Sequence, residues 1–142
     1  MIILDTDILS LLDVETGETY DNIVAHLNLP ENDEIATTIV SFEEQMRGWL
    51  AVIARARKPD ELVRAYDKLH RMLRAYRRRP VMDFDHDAAT IFYSLRSSIR
   101  IGTMDLRIAS IALSHNALLV SRNTGDFSRI PSLRVEDWTR PL

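Results

Sequence analysis

Short unbroken apolar runs alternate with longer amphipathic segments along the whole chain. The clearest run, Met1 to Leu4, ends directly at Asp5. Such a run with β-branched members is typical of a strand buried on both faces, which needs helices on both sides of the sheet. This strand is therefore expected near the middle of the sheet. Four further strands are predicted over residues 34–38, 81–83, 117–121 and 133–136, the last of them polar and at the sheet edge.

Between the strands, apolar residues recur at spacings of three and four, which predicts amphipathic helices. We predict helices over residues 6–12, 20–29, 41–57, 60–79, 85–100 and 104–114, with one helical turn near 126–127. Thr6 or Asp7 is expected to cap the first helix, and Ser41 begins the third. The third and fourth helices form an αα-hairpin. Because helices alternate with strands, we predict one α/β domain over residues 1–142, with a mainly parallel five-stranded sheet between helices on both faces.

The composition narrows the class of protein. No window reaches the roughly 18 apolar residues that a membrane span requires, and the start lacks the basic region of a signal peptide. We therefore expect a cytoplasmic protein without membrane contact. The chain has no cysteine, which excludes disulfides, zinc–thiolate sites, iron–sulfur clusters and thiol nucleophiles. Any metal must be held by oxygen or histidine.

Charge is distributed very unevenly along the chain, although the net charge is only −3. Residues 1–46 contain eleven acidic and no basic residues, whereas residues 47–79 contain eleven Lys or Arg against three acidic residues. An enzyme that acts on a polyanion needs cations beside an acidic site, so the basic hairpin is a candidate for this role. The alternative is that these charges lie on solvent-exposed helix faces and bind nothing.

Four acidic side chains fall where predicted strands end or helices begin: Asp5, Glu44, Asp105 and Asp126. Carboxylates at one edge of a parallel sheet repel each other unless they share a dication, and oxygen ligands alone indicate Mg²⁺ or Mn²⁺. Each has a structural alternative: a capping box with Ser41 for Glu44, the helix dipole for Asp105 and a turn for Asp126. Asp5 has the weakest alternative, because a carboxylate directly after a buried strand does not serve packing.

Four segments, in this order and spacing, resemble those of PIN-domain ribonucleases, in particular the VapC-type toxins of toxin–antitoxin pairs. The segments are Ile3–Asp7, Ser41–Gly48, Ile101–Ala109 and Ser121–Phe127, and the resemblance extends to Leu133–Trp138. It implies a PIN-like three-layer fold with a longer hairpin than the shortest members have. It also identifies Asp5, Glu44, Asp105 and Asp126 as the acidic cluster that holds Mg²⁺ or Mn²⁺.

The resemblance further implies an endoribonuclease that hydrolyses phosphodiester bonds, with Asp126 or Glu44 orienting the attacking water. Residues expected to support the cluster by hydrogen bonds are Thr6, Asp7, Ser121 and Asn123. Asp7 departs from the family pattern, which commonly has Asn there. Candidates for RNA contact are Arg100, Arg122, Arg77, Arg78 and Arg79. The expected partners are the RNA substrate, a cognate antitoxin protein and a second copy of the chain in a homodimer.

Two other functions fit parts of the pattern. A receiver-like signalling domain also places acids at the carboxyl edge of a parallel sheet, but both lysines, Lys58 and Lys68, lie in the hairpin rather than after a late strand. A catalytically silent PIN domain that acts as a binding module is the second alternative. The four histidines lie on different predicted helices, which argues against a metal-free ribonuclease with paired histidines.

Overall fold

The first apolar run forms the central strand of a five-stranded sheet in the computed structural model, which describes residues 1–142. The strands are β1 (Ile2–Leu4), β2 (Ile35–Thr38), β3 (Val81–Met82), β4 (Leu118–Val120) and β5 (Arg134–Glu136). Their order is β3-β2-β1-β4-β5, and every neighbouring pair is parallel. The predicted α/β fold and the edge position of β5 are confirmed. A receiver domain has the order 2-1-3-4-5, so the receiver-like alternative is wrong.

Seven helices connect and cover the strands. They are α1 (Thr6–Leu12), α2 (Glu18–Leu27), α3 (Ile39–Arg55), α4 (Pro59–Tyr76), α5 (His86–Leu95), α6 (Thr103–Ser114) and α7 (Thr124–Phe127). Helices α3 and α4 form the predicted hairpin, and α7 is the predicted single turn. None of the helices is long and apolar enough to cross a membrane.

The amino-terminal caps of two helices differ from the prediction, because more than one neighbouring polar residue could cap the helix. Helix α1 is capped by Asp5, whose carboxylate accepts from the Thr6 amide, and not by Thr6 or Asp7. Helix α3 starts at Ile39 rather than Ser41, since the Thr38 side chain accepts from the Ser41 amide. A capping box between Ser41 and Glu44 is therefore excluded.

Four helices also end earlier than predicted: α2 at Leu27 and α3 at Arg55, each by two residues, and α4 and α5 by more. Helix α4 ends at Tyr76 instead of Arg79, because the amide of Arg77 turns back onto the Ala75 and Arg74 carbonyls. Helix α5 ends at Leu95 instead of Arg100. The residues that follow Leu95 form the loop that leads into α6.

Alternate residues of β1 pack on opposite faces of the sheet, as the two-residue period of a strand requires. Ile3 lies in the larger core, against α5 and α6, together with Phe92 and Ile108. Ile2 and Leu4 lie in the smaller core, against α1 and α2, where Trp138 closes the cluster. Helices cover both faces of β1, so only its carboxyl end is accessible. Asp5 lies at that end, on the carboxyl edge of the sheet.

Candidate active site

Asp5 is the most buried acidic residue at the carboxyl edge of the sheet, with only 4% of its surface exposed. Its backbone amide donates to the Val120 carbonyl, which ties it to β4. Its Oδ1 accepts from the Thr6 amide at 2.8 Å, and its Oδ2 accepts from the Ser121 hydroxyl at 2.7 Å. Both carboxylate oxygens are therefore held in fixed directions by the residues that follow two adjacent strands, β1 and β4.

Glu44 points towards the same place from the second turn of α3. The Thr6 hydroxyl donates to Glu44 Oε1 at 2.8 Å and lies 3.0 Å from the Ser41 hydroxyl. Thr6 thus binds to Asp5 through its amide and to Glu44 through its side chain. Since a capping box would have turned Glu44 back towards Ser41, this contact explains how α3 presents the carboxylate to the sheet edge.

A second hydrogen-bond chain connects Asp5 with the two later acids. The Ser121 hydroxyl accepts from the Asn123 amide at 3.0 Å, which positions the loop after β4. The Asn123 side chain then donates to Asp105 Oδ2 at 3.4 Å and to Asp126 Oδ2 at 3.1 Å. Asn123 therefore holds the carboxylates of α6 and α7 beside each other.

Asp7 lies on the first turn of α1 and is oriented by the loop after β4. Its Oδ2 accepts from the Arg122 amide at 3.0 Å and lies 3.8 Å from the Arg122 Nε. Its Oδ1 is buried and has no hydrogen-bond partner. A buried acceptor without a partner costs about 1–3 kcal/mol, so this oxygen favours a site that a cation or a hydrated ion completes.

These groups surround one open cavity of about 320 Å³ at the sheet edge. It is lined only by polar residues: Asp5, Thr6, Asp7, Ser10, Glu44, Asp105 and Asn123. Three of the four predicted ligands meet here, but Asp126 does not line the cavity. Its side chain is 45% exposed and lies 3.9 Å from Arg129 Nη1, and it is linked to the cavity only through Asn123. Asp7 occupies the fourth acidic position on the wall.

Burial and mutual repulsion make these acids hard to ionise. Burial, followed by the nearby charges of Asp7 and Asp105, raises the pKa of Asp5 to about 7. Burial likewise raises the pKa of Glu44, with Asp105 contributing. The pKa of Asp105 is raised by burial and by the charge of Asp126. The site therefore favours protons or a metal cation as counter-charge.

The donor set fits a hard dication that keeps part of its water shell. All available ligands are oxygens, which Mg²⁺ and Mn²⁺ prefer. No three acidic or histidine side chains stand close enough together to enclose an ion on their own. Mg²⁺ is commonly held by one or two carboxylates and several waters, and the cavity leaves room for those waters.

The predicted cations lie in different surroundings. Arg122 borders the site through Asp7, whereas Arg100 is exposed in the loop before α6. Arg77 and Arg78 are exposed beyond the end of α4, but Arg79 is partly buried beside Asp13 and Tyr76. None of these five arginines lines the acidic cavity. Two arginines that the sequence pattern did not indicate, Arg96 directly after α5 and Arg107 on α6, each lie over an aromatic ring.

The strand order, the helices on both faces and the carboxylates at the ends of the central strands define a PIN-like α/β domain. The family model described as PIN domain matches residues 2–133. The chain belongs to the PIN-domain family, and the resemblance seen in the sequence is confirmed.

Curated relatives match the chain over part of its length. The chain is 37% identical over 68 residues to the Rickettsia felis protein named ribonuclease VapC2, covering 44% of this chain and 51% of that protein. It is 36% identical over 64 residues to the Shigella flexneri protein named tRNA(fMet)-specific endonuclease VapC, covering 42% and 48%. The chain thus spans about half the length of the curated relatives it matches.

Solved structures match over almost the whole chain. VapBC2 from Rickettsia felis, solved bound to a promoter DNA fragment, superposes with a TM-score of 0.71 at 28% identity, covering 97% of this chain and 99% of that one. VapBC-1 from nontypeable Haemophilus influenzae superposes with a TM-score of 0.75 at 25% identity, covering 99% and 100%. The fold of this chain is therefore that of the PIN-domain proteins in VapBC complexes.

Proposed function

We propose that this chain is a metal-dependent endoribonuclease and the toxin of a VapBC-type toxin–antitoxin pair. The observation that carries the proposal is the meeting of Asp5, Glu44 and Asp105 around one cavity at the carboxyl edge of β1 and its neighbours. The names of the relatives support RNA as the substrate. A silent PIN domain would have no need to hold three hard-to-ionise carboxylates by two separate hydrogen-bond chains.

Asp5, Glu44 and Asp105 would hold a partly hydrated Mg²⁺ or Mn²⁺, in part through its waters, with Asp126 held towards Asp105 by Asn123. When bound, the ion neutralises charge on the scissile phosphate and makes the attacking water more acidic. Ser121 fixes the direction of the Asp5 carboxylate through their 2.7 Å hydrogen bond.

Of the two acids predicted to orient the water, we assign this role to Glu44. Its Oε1 is bound by the Thr6 hydroxyl, and it lines the cavity. Asp126 lies outside the cavity wall, where its carboxylate is close to Arg129. A carboxylate that accepts from water must reach it by a hydrogen bond of about 2.6–3.2 Å, and this favours a residue on the wall.

An antitoxin segment has room beside the site. A groove of about 930 Å³ runs from Thr6 and Glu44 along α3 and α4, with Trp49 and Met72 on its apolar side and Lys68 and Arg71 among its cations. We propose this groove as the binding place of the antitoxin. The homodimer and the cytoplasmic location expected from the sequence stay predictions.

Metal-dependent cleavage of RNA tests the proposal directly. Pure wild-type protein should cleave total RNA with Mg²⁺ or Mn²⁺, and EDTA should stop the cleavage. Asp5→Asn keeps the side-chain shape and a good helix cap but removes the charge. Its cleavage should therefore fall by at least about 100-fold, the loss found when one electrostatic group of an active site is removed.

The matched control is Asp33→Asn, because Asp33 is an exposed acid in the loop before β2. This variant should cleave like the wild type. Cleavage that persists undiminished in EDTA, or in a folded Asp5→Asn protein, would contradict the proposed metal mechanism.

A further inference from the structure

A second cavity of about 320 Å³ lies between α5, the following loop and α6, and it has the opposite character to the acidic site. It is lined by two arginines, two aromatic residues, three aliphatic residues and Thr103, with no acidic residue. Phe92 forms the buried floor, and Tyr93 is 63% exposed at the surface. The cavity therefore combines positive charge with accessible aromatic surface.

Both guanidinium groups are held over aromatic rings and are free of acidic partners. The Arg96 Cζ lies 5.3 Å from the centre of the Tyr93 ring, and the Arg107 Cζ lies 5.6 Å from the centre of the Phe92 ring. None of the ion pairs in the chain includes Arg96 or Arg107. The only polar contact of the Arg107 side chain is at 3.5 Å from the Met104 sulfur. Their donors are thus available to an anion from outside the chain.

The position of this cavity relates it to the acidic site. Thr103 and Arg107 stand four residues apart on one face of α6, whereas Asp105 lies between them and projects to the opposite side at about 100° per residue. The two cavities therefore flank the first turns of the same helix. A helix with side chains is about 10–12 Å across, a distance that a single RNA strand can cover with a few nucleotides.

We propose that the Tyr93–Arg96–Arg107 cavity is a subsite for one nucleotide of single-stranded RNA, a few nucleotides from the bond at the acidic site. A base stacks on the Tyr93 ring and the Arg96 plane, and the adjoining phosphate is bound by Arg96 and Arg107. Aromatic rings combined with cations are the usual means of holding unpaired bases. The inference rests on the proposed ribonuclease function. The subsite would bind the anionic strand next to carboxylates that would otherwise repel it.

If the subsite exists, replacing its aromatic residue and replacing its arginines should have different effects on RNA binding. Binding is measured with the Asp5→Asn protein and a fluorescent single-stranded RNA of about ten nucleotides that carries 2-aminopurine, whose emission falls on stacking. Tyr93→Leu should weaken binding about 5- to 150-fold and reduce the quenching, with the salt dependence unchanged. Arg96→Gln with Arg107→Gln should lower the slope of log K against log salt by about 0.7 for each lost phosphate contact.

Tyr66→Leu is the matched aromatic control, since Tyr66 is 55% exposed on α4 and outside both cavities. It should leave binding and quenching unchanged. Light scattering of each variant tests whether the surface instead joins two copies of the chain.

Three results would overturn the subsite: unchanged RNA binding in all variants, equal losses in Tyr93→Leu and Tyr66→Leu, or a change in oligomeric state without a change in RNA binding. If the Asp5→Asn protein itself binds no RNA, the proposed function fails together with the subsite. If it binds RNA and the variants do not differ from it, only the subsite fails.

Discussion

Asp5 makes the stability of the metal-free protein depend on pH. Its pKa is about 7 in the folded chain against an ordinary value of 3.8. Between these values the unfolded chain has lost the proton while the folded chain keeps it, so stability falls as pH rises from about 4 to about 7. At 1.36 kcal/mol per pKa unit, the loss is at most about 4 kcal/mol.

Asp5→Asn should remove most of this loss and make the metal-free protein more stable than the wild type at pH 8. Urea unfolding in EDTA at pH 4 and pH 8 measures the effect. Asp33→Asn should retain the full pH dependence, since that acid is exposed. Equal pH dependence in Asp5→Asn and the wild type would mean that Asp5 is ionised in the folded chain at neutral pH.

Single residues of the site were predictable to different degrees. Asp5 could be predicted, because its position after a buried strand fixes where its side chain must lie. Asp7 and Asp126 exchanged their expected places on the cavity wall, since each depends on the path of a loop. The backbone amide of Arg122 orients Asp7, and this contact has no signature in the sequence. The side chain of Asn123 holds Asp126, and only the family resemblance indicated a supporting role for Asn123.

At the scale of single elements, the start of α3 controls where Glu44 points. Thr38 is fully buried, caps α3 through the Ser41 amide at 3.0 Å, and contacts the Ser41 hydroxyl at 3.2 Å. Thr38→Val keeps the volume but removes the cap, which should cost about 1 kcal/mol. Because the first turn of α3 also positions Glu44, this variant should lose affinity for Mn²⁺ as well as stability, as measured by calorimetric titration and thermal unfolding.

Asp85→Ala is the matched control for a lost helix cap. Asp85 caps α5 by accepting from the Ala88 amide at 3.0 Å, and it lies away from the acidic cavity. It should lose comparable stability and keep the affinity for Mn²⁺. Equal Mn²⁺ affinity in Thr38→Val and Asp85→Ala would show that the cap of α3 does not position Glu44.

The strands and the number of helices followed from the hydrophobic pattern, whereas several helix ends did not. Apolar runs such as Leu118–Val120 have few other ways to be buried. At Thr38 and Ser41, by contrast, two hydroxyl residues could each cap α3. The choice depends on tertiary contacts, because Ser41 is buried against Thr6 of another helix. Burial of that kind is not encoded locally.

On the scale of the whole molecule, the acidic and basic parts of the sequence lie on different surfaces of the fold. The acids of the amino-terminal third meet the later Asp105 at the sheet edge. The basic residues of α4 lie on the hairpin, and Lys68 and Arg71 line the groove that leads from it to Glu44. Under the proposed ribonuclease function, one surface would attract a strand of RNA and another would cleave it, since a charged surface can steer a polyanion over long range.

The three arginines after α4 allow the structural part of this charge to be separated from the part that would bind RNA under the proposed function. Arg79 is partly buried beside Asp13, and burial lowers its pKa, whereas Arg77 and Arg78 are exposed and form no ion pair. Arg79→Gln should therefore lower the melting temperature and leave the salt dependence of RNA binding to the Asp5→Asn protein unchanged. Arg77→Gln with Arg78→Gln should do the reverse, lowering the salt slope by about 0.7 per lost phosphate contact. A salt slope unchanged in the double variant would remove the hairpin end from the RNA path.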